Sequence, residues 1–128
     1  MAKKILQIIE TAYRATLEEQ DDPVVWMTHA MKGAGGEPEV LLRGNAVNYA
    51  VKEQDASGLA FGAWKQTQPP RLAGDLSSLI RKGVNVYIVE EDIRQRGLET
   101  SDLIEGLKTT PSREVAGLLA GYDQVWHW

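Results

Sequence analysis

A handful of charged and polar side chains that follow short apolar runs could do chemistry in this chain. Arg43-Gly44-Asn45 comes directly after one such run. It sets a guanidinium beside backbone N–H groups at a helix start, an arrangement suited to a phosphate or carboxylate. Asn45 reads equally well as an ordinary helix cap. Glu90-Glu91-Asp92 places three carboxylates after the most apolar run, with Arg94 one turn on. They could bind a metal or ligand or serve as acid and base, although acidic residues also favour the first turn of any helix. The two histidines, His29 and His127, lie far apart, and no ligand spacing joins them to a carboxylate. Cysteine is absent. That excludes disulfides, thiolate nucleophiles, Cys-ligated zinc, iron–sulfur clusters and any persulfide carried on the chain.

No recognised motif turns these residues into a reaction. The chain contains no G-x-G-x-x-G, Walker-type phosphate loop, H-E-x-x-H or G-x-S-x-G elbow, so no cofactor, metal or catalytic residue is assigned. Fourteen Lys and Arg against eighteen Asp and Glu give a net charge of -4, so the basic excess of a nucleic-acid binder is missing. With 128 residues, 43% hydrophobic and 25% charged, the chain matches one globular domain spanning 1–128. The apolar stretch Ile5-Leu6-Gln7-Ile8-Ile9 is too short for a signal-peptide core, and no apolar run approaches the roughly 20 residues needed to cross a bilayer. A soluble, cytoplasmic protein with no membrane association is the expectation.

These residues need elements to hold them. Lys4 to Ile9 is rich in β-branched residues and reads as a buried strand, followed by a loop over 10–20. Asp21-Asp22-Pro23 predicts a helix start. The spacing of Val24, Met27, Met31 and Ala34 gives that helix an inward stripe and turns Trp26 and His29 outward. Glu39 to Leu42 is a second strand, leading into a helix with Ala46, Tyr49 and Ala50 on one side. Residues 53–72 read as a long loop with at most one helical turn, of a length that usually serves function or interaction. Asp75 caps a helix through Leu76, Leu79 and Ile80, and Val84 to Val89 is the clearest strand. A short charged helix over 90–96 and another over 101–107 follow, then a brief strand at Lys108-Thr109-Thr110. A last helix beginning at Thr110-Pro111 carries Val115, Leu118, Leu119 and Tyr122, and Gln124 to Trp128 closes the chain as a strand. Strands alternating with amphipathic helices imply a three-layer α/β/α sandwich around a mainly parallel sheet of about five strands, flavodoxin-like in size. Trp26, His29 and Trp64 are hard to bury within one subunit and point to self-association.

The order of features resembles the DsrE/DsrF/DsrH-like family, a sulfur-relay group that includes the Tus proteins of tRNA thiolation. The likeness rests on Leu41-Leu42-Arg43-Gly44-Asn45-Ala46-Val47, on Gly83 to Val89 with Ile93-Arg94-Gln95-Arg96-Gly97-Leu98, and on the ending Tyr122 to Trp128. The resemblance implies trimers or hexamers, and a sulfur-accepting cysteine at the end of the third strand. Here that position is Val89, which cannot form a thiolate or accept sulfane sulfur. Two functions follow as expectations. One is a non-catalytic structural or regulatory subunit in sulfur metabolism, as a homo-oligomer or beside a cysteine-bearing homologue. The other is a small anionic-ligand binder or cysteine-independent enzyme using Arg43, Asn45, Glu90, Glu91 and Arg94 at the strand ends.

Overall fold

A computed structural model describes residues 2–14, 21–54 and 58–128. The parts of the expected loops at 15–20 and 55–57 lie outside the described residues. The strands of the main sheet are β1 (Lys4–Ile9), β2 (Glu37–Leu42), β5 (Val86–Val89), β6 (Lys108–Thr110) and β7 (Gln124–His127). All pair in parallel, in the spatial order β6-β5-β2-β1-β7. Each inner strand is buried on both faces, which is why these runs are mainly apolar rather than alternating, with Gln7 and Glu39 as buried polar residues among them. In β5, Val86 and Ile88 face one core cluster while Tyr87 and Val89 face the other.

The connections explain the layers. From β1 the chain steps outward to β2, β5 and β6, then returns past β1 to β7. Right-handed crossovers in one direction put their helices on one face, and the reversed step puts its helix on the other. Accordingly α1 (Pro23–Gly33), a 3-10 helix (Gly44–Ala50), α2 (Leu72–Arg81) and α3 (Glu90–Gln95) supply Val25, Tyr49, Leu76, Leu79 and Ile93 to the larger core. Only α4 (Val115–Leu119), with Leu118, Leu119 and Tyr122, packs on the opposite cluster of Leu6, Ile8, Leu41 and Val89 among the described residues. No helix of the described residues is long and apolar enough to cross a membrane.

Several local expectations are corrected. The inward residues of α1 are Val24, Val25 and Thr28, whereas Met27 and Met31 are half-buried and Ala34 is exposed beyond the helix end. Trp26 does point outward, 61% exposed. His29 does not: its ring lies between α1 and α2, with Nε2 3.0 Å from the Asp75 carbonyl and Nδ1 3.0 Å from Lys82 Nζ. An ammonium can only donate, so in the neutral ring Nδ1 is the acceptor and Nε2 the donor. Asp75 is in the first turn of α2, not its cap, because the helix begins earlier at Leu72. The segment 53–72 has no helical turn among its described residues. It forms instead a two-stranded arm of β3 (Ala60–Phe61) and β4 (Trp64–Lys65). The helix expected over 101–107 is reduced to a 3-10 turn at Thr100–Asp102, after which Leu103 bridges to Val51.

Asp22 shows how local sequence becomes tertiary structure. Its Oδ1 accepts the Val24 and Val25 N–H groups at 2.8 and 3.1 Å, capping α1 as Asp-Pro predicts. Its Oδ2 takes the Tyr49 hydroxyl at 2.6 Å, and that hydroxyl also accepts the Tyr13 N–H. Burial first, then the bond to Asp22, pushes the Tyr49 phenol far above its ordinary range.

Candidate functional site

In open parallel sheets ligands collect beyond the carboxyl ends of the strands, at the point where the strand order reverses. Here that point lies between β1 and β7. The register brings Ile9 of β1 level with Leu42 of β2, so the next residues, Glu10 and Arg43, emerge side by side. Arg43 Nε donates to Glu10 Oε1 at 3.0 Å, and His127 Nε2, from the end of β7, lies 3.7 Å from the same oxygen. All three side chains are about half exposed, at 42%, 45% and 53% for Arg43, Glu10 and His127. The Trp128 carbonyl accepts the Glu10 and Thr11 N–H groups, and its indole donates to the fully buried Gln7 at 2.7 Å. The last strand is thereby fastened to β1 beneath the charged trio.

The turn at Gly44 is not a vacant anion site. Its N–H already donates to Asp92 Oδ2 at 2.7 Å, and the helix that follows is a short 3-10 helix rather than the expected regular one. Gly44 has a positive φ of 57°, and a Cβ there would come 3.1 Å from the Glu10 side chain. Glycine thus satisfies both the turn and the close approach of Glu10. Nor is Asn45 a cap: its Oδ1 accepts Arg96 Nη2 at 2.8 Å and Nε at 3.2 Å, tying the 3-10 helix to the end of α3. Glu91 accepts the Ser112 N–H through both carboxylate oxygens, at 2.9 and 3.1 Å. That bond holds its carboxyl below the ordinary glutamate value. Glu90 is half-buried at the start of α3, and Arg94 is exposed on the same helix.

Val89 is 3% exposed and packs with Leu6, Ile8 and Leu41, yet it lines a 290 Å³ pocket with Arg43, Asp92, Ser112 and Leu119. A second groove, of 740 Å³, runs past Glu10, Thr11, Tyr13, Asn45, Asn48 and Arg96. The strand ends therefore join Arg43 and Val89 in one hollow and Asn45 with Glu10 in another. Asp92, one of the three carboxylates that follow β5, and His127 belong to this constellation, as do Glu10 and Arg96, which the sequence did not assign to a ligand site. The signal for Glu10 and Arg43 was positional, since each follows immediately on an apolar strand. His29 and His127 do not converge, and among the described residues no group of three His, Asp or Glu is placed to hold a metal ion.

No protein-family model and no curated protein matches the chain. Solved structures do. The ychN protein from E. coli superposes with a TM-score of 0.73 over 100% of both chains at 18% identity. BT1422 from Bacteroides thetaiotaomicron, described as a conserved protein of unknown function, gives 0.68 at 11% identity, over 98% of this chain and 95% of its own. MTH1491 from Methanobacterium thermoautotrophicum, likewise of unknown function, gives 0.62 at 15% identity, over 98% and 99%. At these identities the likeness shows the fold alone: an α/β architecture with a mainly parallel five-stranded sheet and flanking helices.

Proposed function

We propose that the protein is a non-catalytic subunit linked to sulfur transfer, structural or regulatory in role. It works in the cytoplasm as one domain, either as a trimer or hexamer of itself or beside a cysteine-bearing homologue. The observation that carries this reading is Val89. The DsrE-like resemblance puts the sulfur acceptor at the end of β5, and this chain fills that place with an apolar side chain that packs into the core while leaving a pocket beside it. Valine has no nucleophile, so what the position can still contribute is shape. Native mass spectrometry on protein purified from its own host tests the reading. A mixed assembly containing a cysteine-bearing subunit is expected. A homo-oligomer that carries a bound small molecule and no such subunit overturns it.

A second reading is favoured by one observation, the convergence of Arg43, Glu10 and His127 at the strand-order reversal. In it the strand ends bind a small anionic ligand, with Arg43 as the cation and Glu10 and His127 as its neighbours. Asn45 and Glu91 then act as supports rather than ligands, because each already serves a bond inside the fold. Arg94 and Glu90 remain at the periphery. Titration of Arg43→Gln with inorganic phosphate or a small carboxylate, followed by NMR, separates this reading from the first: loss of binding supports it, and no binding by the unmodified protein removes it.

A further inference from the structure

Among the described residues two that are not glycine hold a left-handed backbone, Tyr13 at φ 60° and Glu53 at φ 62°, and both line the same groove. Such conformations are uncommon for residues with a side chain and persist where the surroundings fix them. Tyr13 is fixed at two points. Its N–H donates to the Tyr49 hydroxyl, and its own hydroxyl donates to Gln54 Oε1 at 3.3 Å. Gln54 is held in turn, its Nε2 donating to the Asn48 and Val51 carbonyls at 2.9 Å each. The Tyr13 ring meets Tyr49 edge-on, with 5.3 Å between centroids, and the residue remains 48% exposed. The result is an aromatic wall set in one position with a side open to solvent.

The groove it borders measures 590 Å³, within the range of about 300–1,000 Å³ typical of small-molecule sites. Its apolar lining continues with the half-buried Val51 and Pro70 and the buried Leu72. Two exposed charges complete it, Arg71 and Glu53, and among the described residues neither forms an ion pair with the other or with any further group. Arg71 stands at the N-cap of α2, yet its side chain makes no capping bond. A permanently charged, planar guanidinium at the edge of an aromatic and proline-lined hollow matches a flat apolar body that ends in a carboxylate. Glu53 on the same lining disfavours a second negative charge. We propose that this groove binds a small aromatic monocarboxylic acid, its ring against Tyr13 and Pro70 and its carboxylate on Arg71. None of Arg43, Glu10 and His127 lines it, so the inference depends on neither function proposed above.

Titration with benzoate, followed by two-dimensional NMR of the backbone amides, tests the site. Shifts are expected at Tyr13, Ala73 and Gly74, which line the groove, with a Kd on the order of 1 mM. Acetate keeps the acid and lacks the ring, benzyl alcohol keeps the ring and lacks the acid, and isophthalate adds a second acid. Each is expected to bind about tenfold more weakly than benzoate. Arg71→Gln, at an exposed position, is expected to lose about tenfold toward benzoate and nothing toward benzyl alcohol. Tyr13→Gly keeps the left-handed backbone without steric cost but removes the wall, so it is expected to weaken both ligands. Should that variant unfold, Arg71→Gln and the ligand series decide by themselves. Arg43→Gln is expected to bind benzoate as the unmodified chain does. The proposal is overturned by an absence of shifts up to about 20 mM benzoate, by acetate binding as tightly as benzoate, or by unchanged affinity in Arg71→Gln. Shifts that centre on Glu10, Arg43 and His127 and vanish in Arg43→Gln also overturn it, and give the acid to the strand-end reading instead.

Discussion

Asp22 and Glu10 are both carboxylates near the carboxyl ends of the sheet, and they do opposite things. Asp22 is 1% exposed and spends both oxygens on the fold, two N–H groups on one and the Tyr49 hydroxyl on the other. The Glu10 side chain is 45% exposed, and its ion-pair partners among the described residues, Arg43 and His127, are themselves half in water. A buried carboxylate must be fully partnered, so its partners become structural. An exposed one is paired loosely and can exchange a partner for a ligand at small cost. Burial, rather than residue type, separates the fastener from the candidate site.

That contrast can be broken at four places. Removing the fastener is the heaviest test: Asp22→Ala removes a cap and leaves the buried Tyr49 hydroxyl without its acceptor, which costs about 3 kcal/mol. Thermal unfolding followed by circular dichroism should show Tm falling by about 10 °C. Tyr49→Phe keeps the cap but removes one donor to Asp22 and the acceptor of the Tyr13 N–H, for about 2 kcal/mol. A loss below the error of a denaturant titration would mean that the network does not hold the fold. On the other side, Arg43→Gln should change stability by at most about 1 kcal/mol, because the ion pair it removes is surface-exposed. If it costs as much as Tyr49→Phe, the trio is structural and the comparison fails.

The smallest effect sharpens the comparison through pH. Burial raises the Asp75 carboxyl above its ordinary value, with His29 opposing and Asp21 adding to the rise. A raised folded value means that the proton is held more tightly in the fold. The associated stability is present below the unfolded value and is lost as pH rises through the folded one. Asp75→Asn cannot ionise, so its Tm relative to the unmodified chain should improve from pH 3 to pH 7. Partial exposure keeps the gain to about 0.5 kcal/mol. A difference that stays constant across that range would show that the carboxyl is not disfavoured by its surroundings.

Legibility in the sequence followed the range of the interactions. The strand at Lys4–Ile9, the one expected over Val84 to Val89 and found at Val86–Val89, and the Asp22-Pro23 helix start were readable because apolar runs and caps are local signals. The arm at 60–65 was not, since two-residue strands around Gly62 leave no periodicity to detect. His29 was placed outward because helical phase says which face a residue occupies, not whether another helix covers that face. For the same reason Asn45 read as a cap: its true partner, Arg96, is 51 residues away.

By itself the sequence determined the layered α/β class and the absence of any thiol chemistry, both of which depend on residue types and short spacings. Only the tertiary structure decided that β7 returns to the far side of β1, and so that Glu10, Arg43 and His127 meet there. It also decided that Asp92 already occupies the Gly44 N–H and that Phe61 and Trp64 of the arm are exposed. Those outcomes depend on strand order and register, which arise from contacts between segments up to a hundred residues or more apart and leave no mark on any short stretch of the chain.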